Sequence, residues 1–140
     1  MQWIAATVDK LRCQDYAHVD WANLIEEIED MGKQERRSLK SNLIVLLLHL
    51  LKWRHQPAQR IGSWAGSIVE HRRRIHQALK DSPSLKPYLE SVFAEAYRDA
   101  VKQAAAKTML SVEAFPNECE FELAQVMDED FSPKNSAKDL

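Results

Sequence analysis

Apolar residues recur every three to four positions along most of the chain, and nowhere do they alternate with period two for long enough to make a strand. Trp3, Ile4, Val8 and Leu11 predict a short amphipathic helix over residues 2–13, followed by a loop from Gln14 to Val19. Asp20 then stands where an N-cap carboxylate belongs, and no Glu occupies the capping-box position after it. Trp21, Leu24, Ile25, Ile28 and Met31 follow at i, i+3, i+4 and i+7, one clean helix face. Gly32 is a point where this helix ends or weakens, yet helical patterning resumes at Lys33 and continues to about His55. The expectation is a kinked rod or two abutting helices.

Across residues 39–53 nearly the whole circumference is apolar, which marks a central helix with others around it. One narrow stripe departs from this: Ser38, Asn42, Val45, His49, Lys52 and Gln56 share a sector. Pro57 stops the helix. Ser63 is placed to cap a further helix from Trp64 to Lys80, whose apolar line of Trp64, Ile68, Ile75 and Leu79 has His71 on the same face. Pro83 and Pro87 suit the first turns of a restarted helix, and amphipathic patterning runs from Tyr88 to Lys107. Phe115 and Pro116 end regular structure, Phe121 to Val126 predicts one short helix, and Ser132 to Leu140 reads as a frayed tail. The fold class expected is all-α: four or five bundled helices around an apolar central helix with a C-terminal wrap, one domain over residues 1–131.

Composition agrees with a globular chain of one core, at 140 residues with 45% hydrophobic and 29% charged. Three glycines are too few for the turns of a β-sandwich or for phosphate loops of a doubly wound fold. Cys13 and Cys119 fall in no metal or redox spacing, so they read as reduced thiols in a cytoplasmic protein. The N-terminus shows no secretory pattern. The longest apolar run, Leu43 to Leu51, is far short of the roughly 20 residues a membrane span needs, and no membrane partner is expected.

Three stretches carry the sequence WANLIEEIEDMG (21–32), SNLIVLLLHLLKW (41–53) and the pair Ser63 and Trp64, with DSPSLK at 81–86 beyond them. Together with Phe115 and Pro116, Glu118 and Cys119, and the closing segment from Leu123 to Phe131, they make the chain resemble the DUF29 family of largely cyanobacterial proteins. The resemblance spans nearly the whole chain, and the run of twelve residues ending at Gly32 is its most specific part. Family members usually open on an acidic and aromatic stretch that precedes the position of Gln2, which implies a shortened first helix here. The resemblance implies a small all-helical bacterial protein. It transfers no catalytic or ligand residue, because the family's function is itself unassigned.

Helical bundles that hold inward Glu and His are the architecture of di-iron carboxylate proteins, but the Glu-x-x-His pairs those need are absent. A metal set of one ligand per helix is conceivable from Glu27, His49 and His71. The stronger reading of Glu27 and His49 is a structural hydrogen bond between groups that have left water. Glu26, Glu27, Glu29 and Asp30 read mostly as a solvated face, with no nucleophile spaced to use them, so no catalytic residue and no cofactor is expected. Gly62, Ser63, Gly66 and Ser67 at a helix start, with Arg60 nearby, could present free N–H groups to a phosphate. Close approach of helices at the glycines is the plainer explanation. In the run His71 to His76, Arg72, Arg73 and Arg74 read first as an ordinary solvated helix face, and alternatively join Arg60 and Ser63 in a candidate anion-binding face.

The formal net charge of −2 averages unlike parts. Residues 1–32 hold two basic and seven acidic groups, residues 33–107 fifteen and six, and residues 108–140 two and eight. Either the basic middle is open to an anion, or acidic ends fold back on it and leave little for a ligand. The expected function is a non-catalytic protein-interaction module whose partner is another protein or a second copy of itself. A nucleic-acid or phosphoanion binder is the alternative, and a metal-dependent helical-bundle enzyme comes third.

Overall fold

The structure, a computed structural model, describes residues 2–133. It contains five α-helices and, among the described residues, no strand: α1 (Gln2–Arg12), α2 (Trp21–His55), α3 (Gly62–Asp81), α4 (Lys86–Thr108) and α5 (Leu123–Met127). Short 3₁₀ turns at Tyr16–His18, Pro57–Gln59, Pro83–Leu85 and Val112–Ala114 make the connections. The all-α expectation holds. Among the described residues no helix is long and apolar enough to cross a membrane. Of the expected frayed tail, Ser132 is exposed and Pro133 is buried; the rest of that tail lies outside the described residues.

Helix α2 is unbroken at Gly32, where the sequence pattern left a kink or a second helix open. A single glycine costs a helix about 1 kcal/mol, less than the strong helix formers around it return. Asp20 caps the start as expected, its Oδ1 accepting the N–H of Asn23 at 3.2 Å. Ser63 does not cap α3: the helix begins one residue earlier, and Ile61, in extended geometry with no side-chain bond to offer, is the N-cap. Nor do Gly62 and Gly66 serve close helix approach, since a β-carbon at either would meet nothing within 4 Å.

The contacts fall into two compact units, Met1–Glu35 and Arg36–Leu140, with α2 contributing to both. In the first, Thr7 and Val19 are the buried positions among the described residues. The Trp21 indole N–H donates to Tyr16 O at 3.1 Å and closes the connecting turn.

In the second unit the α2 residues Leu39, Leu43, Leu46, Leu47, Leu48, Leu50 and Leu51 are all buried, as an apolar circumference requires. Against them pack Ile68 and Ile75 of α3, Leu89, Val92, Tyr97 and Val101 of α4, and Phe115, Phe121 and Val126 from beyond α4. Ala96, Ala100 and Ala104 recur every fourth residue of α4 and are fully buried, a side-chain-poor stripe where larger residues would not fit. Pro87 sits in the first turn of α4, and Met109 ends that helix in the left-handed conformation, φ 60°.

Candidate functional site

Helices α2, α3 and α4 bring their polar exceptions to one side of the second unit's core. His49 and Lys52 lie a turn apart on α2, and Ser67 and His71 a turn apart on α3, all half-buried. His49 Nδ1 donates to Val45 O at 2.8 Å, and His71 Nδ1 donates to Ser67 O at 2.7 Å. A carbonyl only accepts, so both rings carry a proton on Nδ1. The Ser67 hydroxyl bridges them, with Oγ 3.1 Å from His71 Nδ1 and 3.4 Å from His49 Nδ1. It meets two N–H groups and no imidazole lone pair, so neither ring in this tautomer can act as a base on Ser67.

Burial pushes the His49 pKa below the usual 6.5; the Val45 hydrogen bond opposes this, and the charges of Lys52, His71 and Lys107 add to it. Burial lowers Lys52 as well, with the charge of Lys107 acting in the same direction. The Lys52 ammonium stands 4.3 Å from the centre of the buried Trp64 ring, a cation–π contact.

The residues named for a metal do not assemble as a set of three. Among the described residues no three His, Cys, Asp or Glu side chains gather at a point. His49 and His71 share Ser67, while Glu27 belongs to the first unit and lines a groove there. The hydrogen bond read between Glu27 and His49 is replaced by the His49–Val45 bond within α2.

The residues named for an anion are engaged with the protein itself. Arg60 Nε donates to Trp53 O at 2.8 Å near the C-terminus of α2, and its guanidinium lies 4.9 Å from the Trp53 ring centre. Arg72, 3% exposed, is buried beneath the C-terminal segment: Nε donates to Val126 O at 2.7 Å and Nη2 to Phe131 O at 2.8 Å. Arg73 and Arg74 both reach Glu70, whose carboxyl they hold down to about 2. Ser63 is exposed in the first turn of α3. Of the three arginines in the basic run, Arg73 and Arg74 are the ones that remain exposed.

The acidic C-terminal segment does fold onto the basic middle. Glu120 pairs with Arg54 and lies 3.6 Å from His55 Nε2. Asp128 and Glu129 act on Arg72, and His76 Nε2 donates to Met127 O at 2.8 Å. None of these contacts involves His49, Lys52, Ser67 or His71. The stripe containing His49 and Lys52 was visible along α2, and so was the four-residue spacing of Ser67 and His71. Lys107 was not, since its proximity depends on how the helices are ordered in space.

The first unit holds the other candidate, a groove lined almost wholly by apolar side chains: Trp3, Ile4, Val8 and Leu11 of α1 with Leu24, Ile28 and Met31 of α2, and Glu27 beside them. Ile4, Ile25, Ile28 and Met31 are more than half exposed, and Trp21 nearly so.

No curated protein and no solved structure matches the chain. One family model does, over residues 1–132, under the description Domain of unknown function DUF29.

Proposed function

The chain belongs to the DUF29 family, and from that premise we propose that it is a non-catalytic interaction module of the cytoplasm whose docking face is the groove of α1 and the start of α2. The observation that carries this is the exposure of Ile25 at 54%, Ile28 at 59% and Met31 at 58% on consecutive turns of one helix. A helix in water turns such a stripe toward a core; here it is left for something else to cover. Covering each of these side chains is worth about 1 kcal/mol, so a handful contributes a few kcal/mol against the entropic cost of association, and charge must supply the rest.

Charge selects the occupant. Glu26, Glu27, Glu29 and Asp30 are exposed along the same turns, and residues 1–32 carry a net charge of −5. A second copy would bring like charge to like charge, so the partner is a basic amphipathic helix of another protein, apolar at i, i+3, i+4 and i+7 and flanked by Lys or Arg. The free thiols Cys13 and Cys119 support a reducing compartment.

Two synthetic amphipathic helices, identical except for Lys or Glu on the polar face, test the reading by tryptophan fluorescence. Saturable binding of the Lys peptide, weak binding of the Glu peptide and loss of both in Ile28→Glu with unchanged helical circular dichroism support it. Equal binding of the two peptides overturns it, and so does a dimer in sedimentation equilibrium that Ile28→Glu dissociates.

A further inference from the structure

We propose that His49, Lys52, Ser67, His71 and Lys107 form a binding site for a small tetrahedral oxyanion of the phosphate class, separate from the docking groove of the first unit. The cluster lies within the second unit and draws on three helices. Its members are all cationic or hydrogen-bonding, and every charge that acts on His49 is positive: Lys52, His71 and Lys107. Among the described residues no carboxylate pairs with Lys52 or Lys107. Glu70 of α3 is engaged with Arg73 and Arg74 instead, and Glu120 of the C-terminal segment with Arg54.

Half-buried positive charge with no counter-ion is unfavourable, because burial removes water that would solvate it and neighbouring cations add repulsion. The other Lys and Arg side chains of this unit that are buried or half-buried illustrate the usual remedy: Lys40 has Glu95 at 2.9 Å, Arg54 has Glu120, Arg60 has the Trp53 carbonyl, and Arg72 has two carbonyls. Lys52 has only the face of Trp64, which orients the ammonium without neutralising it. An anion from solution would supply the missing charge.

The donor set suits several oxygens on one centre. Two ammonium groups and the Ser67 hydroxyl can donate, and the His49 imidazole, its Nδ1–H already committed to Val45 O, gains a second donor when Nε2 takes a proton. The negative charge of the ligand favours that proton, so binding and proton uptake are coupled. A metal ion is disfavoured by the same two lysines, which repel a cation from the Nε2 lone pairs.

Calorimetric titration of the full chain with sulfate, dianionic at every pH used, tests the site without interference from ligand ionisation. Binding is expected to tighten by about tenfold from pH 8 to pH 6, with proton uptake shown by buffers of different ionisation heat. Lys52→Met keeps an unbranched stem against Trp64 and is expected to weaken sulfate binding at least about tenfold. The exposed Lys107→Gln, which threatens no packing, should weaken it less, and His49→Gln should reduce the pH dependence. Inorganic phosphate and phosphoserine, compared at pH 7, separate a free anion from a phosphomonoester as the source; tighter binding of either is consistent with the site. Absence of saturable sulfate binding at low ionic strength and pH 6 overturns the proposal, as does binding indifferent to both lysine substitutions, or stoichiometric zinc binding that requires His49 and His71.

Discussion

Arg72 donates its Nε–H to the carbonyl oxygen of Val126 at 2.7 Å, across 54 residues of chain, and its Nη2 holds Phe131 O at 2.8 Å. The guanidinium thereby ties α3 to both ends of the turn that follows α5. Replacing Arg72 with Met keeps much of the stem but leaves two carbonyls without their charged donor. The expected loss is about 2–4 kcal/mol of unfolding free energy in urea denaturation. Amide exchange should accelerate around residues 121–131 more than in α2 or α4. A loss below about 0.5 kcal/mol would show that the C-terminal segment is held by its other contacts without Arg72.

Met109 ends α4 with φ at 60°, a conformation that a residue with a β-carbon adopts at a cost and glycine adopts freely. Its side chain is 90% exposed, so almost no packing is lost by removing it. Met109→Gly is therefore expected to stabilise the protein by about 0.5–1 kcal/mol, seen as a melting temperature a few degrees higher. Met109→Val, β-branched at the same position, should lower it. An unchanged melting temperature in both variants would contradict the argument.

The apolar circumference of residues 39–53 was legible because a helix with no polar arc has no solvent-facing solution, and the leucines there are indeed buried. The face of Trp21, Ile25, Ile28 and Met31 followed the same periodic rule yet lies exposed, since periodicity says which residues share a face and not whether this chain supplies the cover. Arg72 to Arg74 looked alike as a run of like charge. The structure separates them because Arg72 sits on the α3 face toward Ile68 and Ile75, where the C-terminal segment lands, and that landing is a long-range fact. The anion cluster was half visible for the same reason: spacing along one helix gives His49 with Lys52 and Ser67 with His71, while Lys107 arrives from another.

The contrast between the two stretches of α2 is itself testable. Leu47 is fully buried in the second unit, and Leu47→Ala is expected to cost about 2–5 kcal/mol by transfer and cavity terms together. Ile28 is 59% exposed, and Ile28→Ala should change stability by less than about 0.5 kcal/mol while removing part of the groove. Denaturation curves of the two variants check this. A large loss at Ile28 would mean that its face is already covered and would remove the basis of the docking proposal.

His49 supplies a pH dependence with a definite sign. Its folded-state pKa lies below the ordinary 6.5, first through burial, so the unfolded chain takes up a proton before the folded one does. Between the folded value and 6.5 the unfolded state binds more protons, and stability falls as pH drops through that window. Above it the difference vanishes. His49→Gln keeps a polar side chain of similar reach and should flatten this part of the stability profile, measured by chemical denaturation from about pH 8 to pH 5. Sulfate should oppose the wild-type decline, since an oxyanion among Lys52, His71 and Lys107 favours the protonated ring, and it should have less effect in His49→Gln. A wild-type profile that is already flat, or that rises as pH falls in the absence of added anion, would contradict the placement of His49 among those three cations.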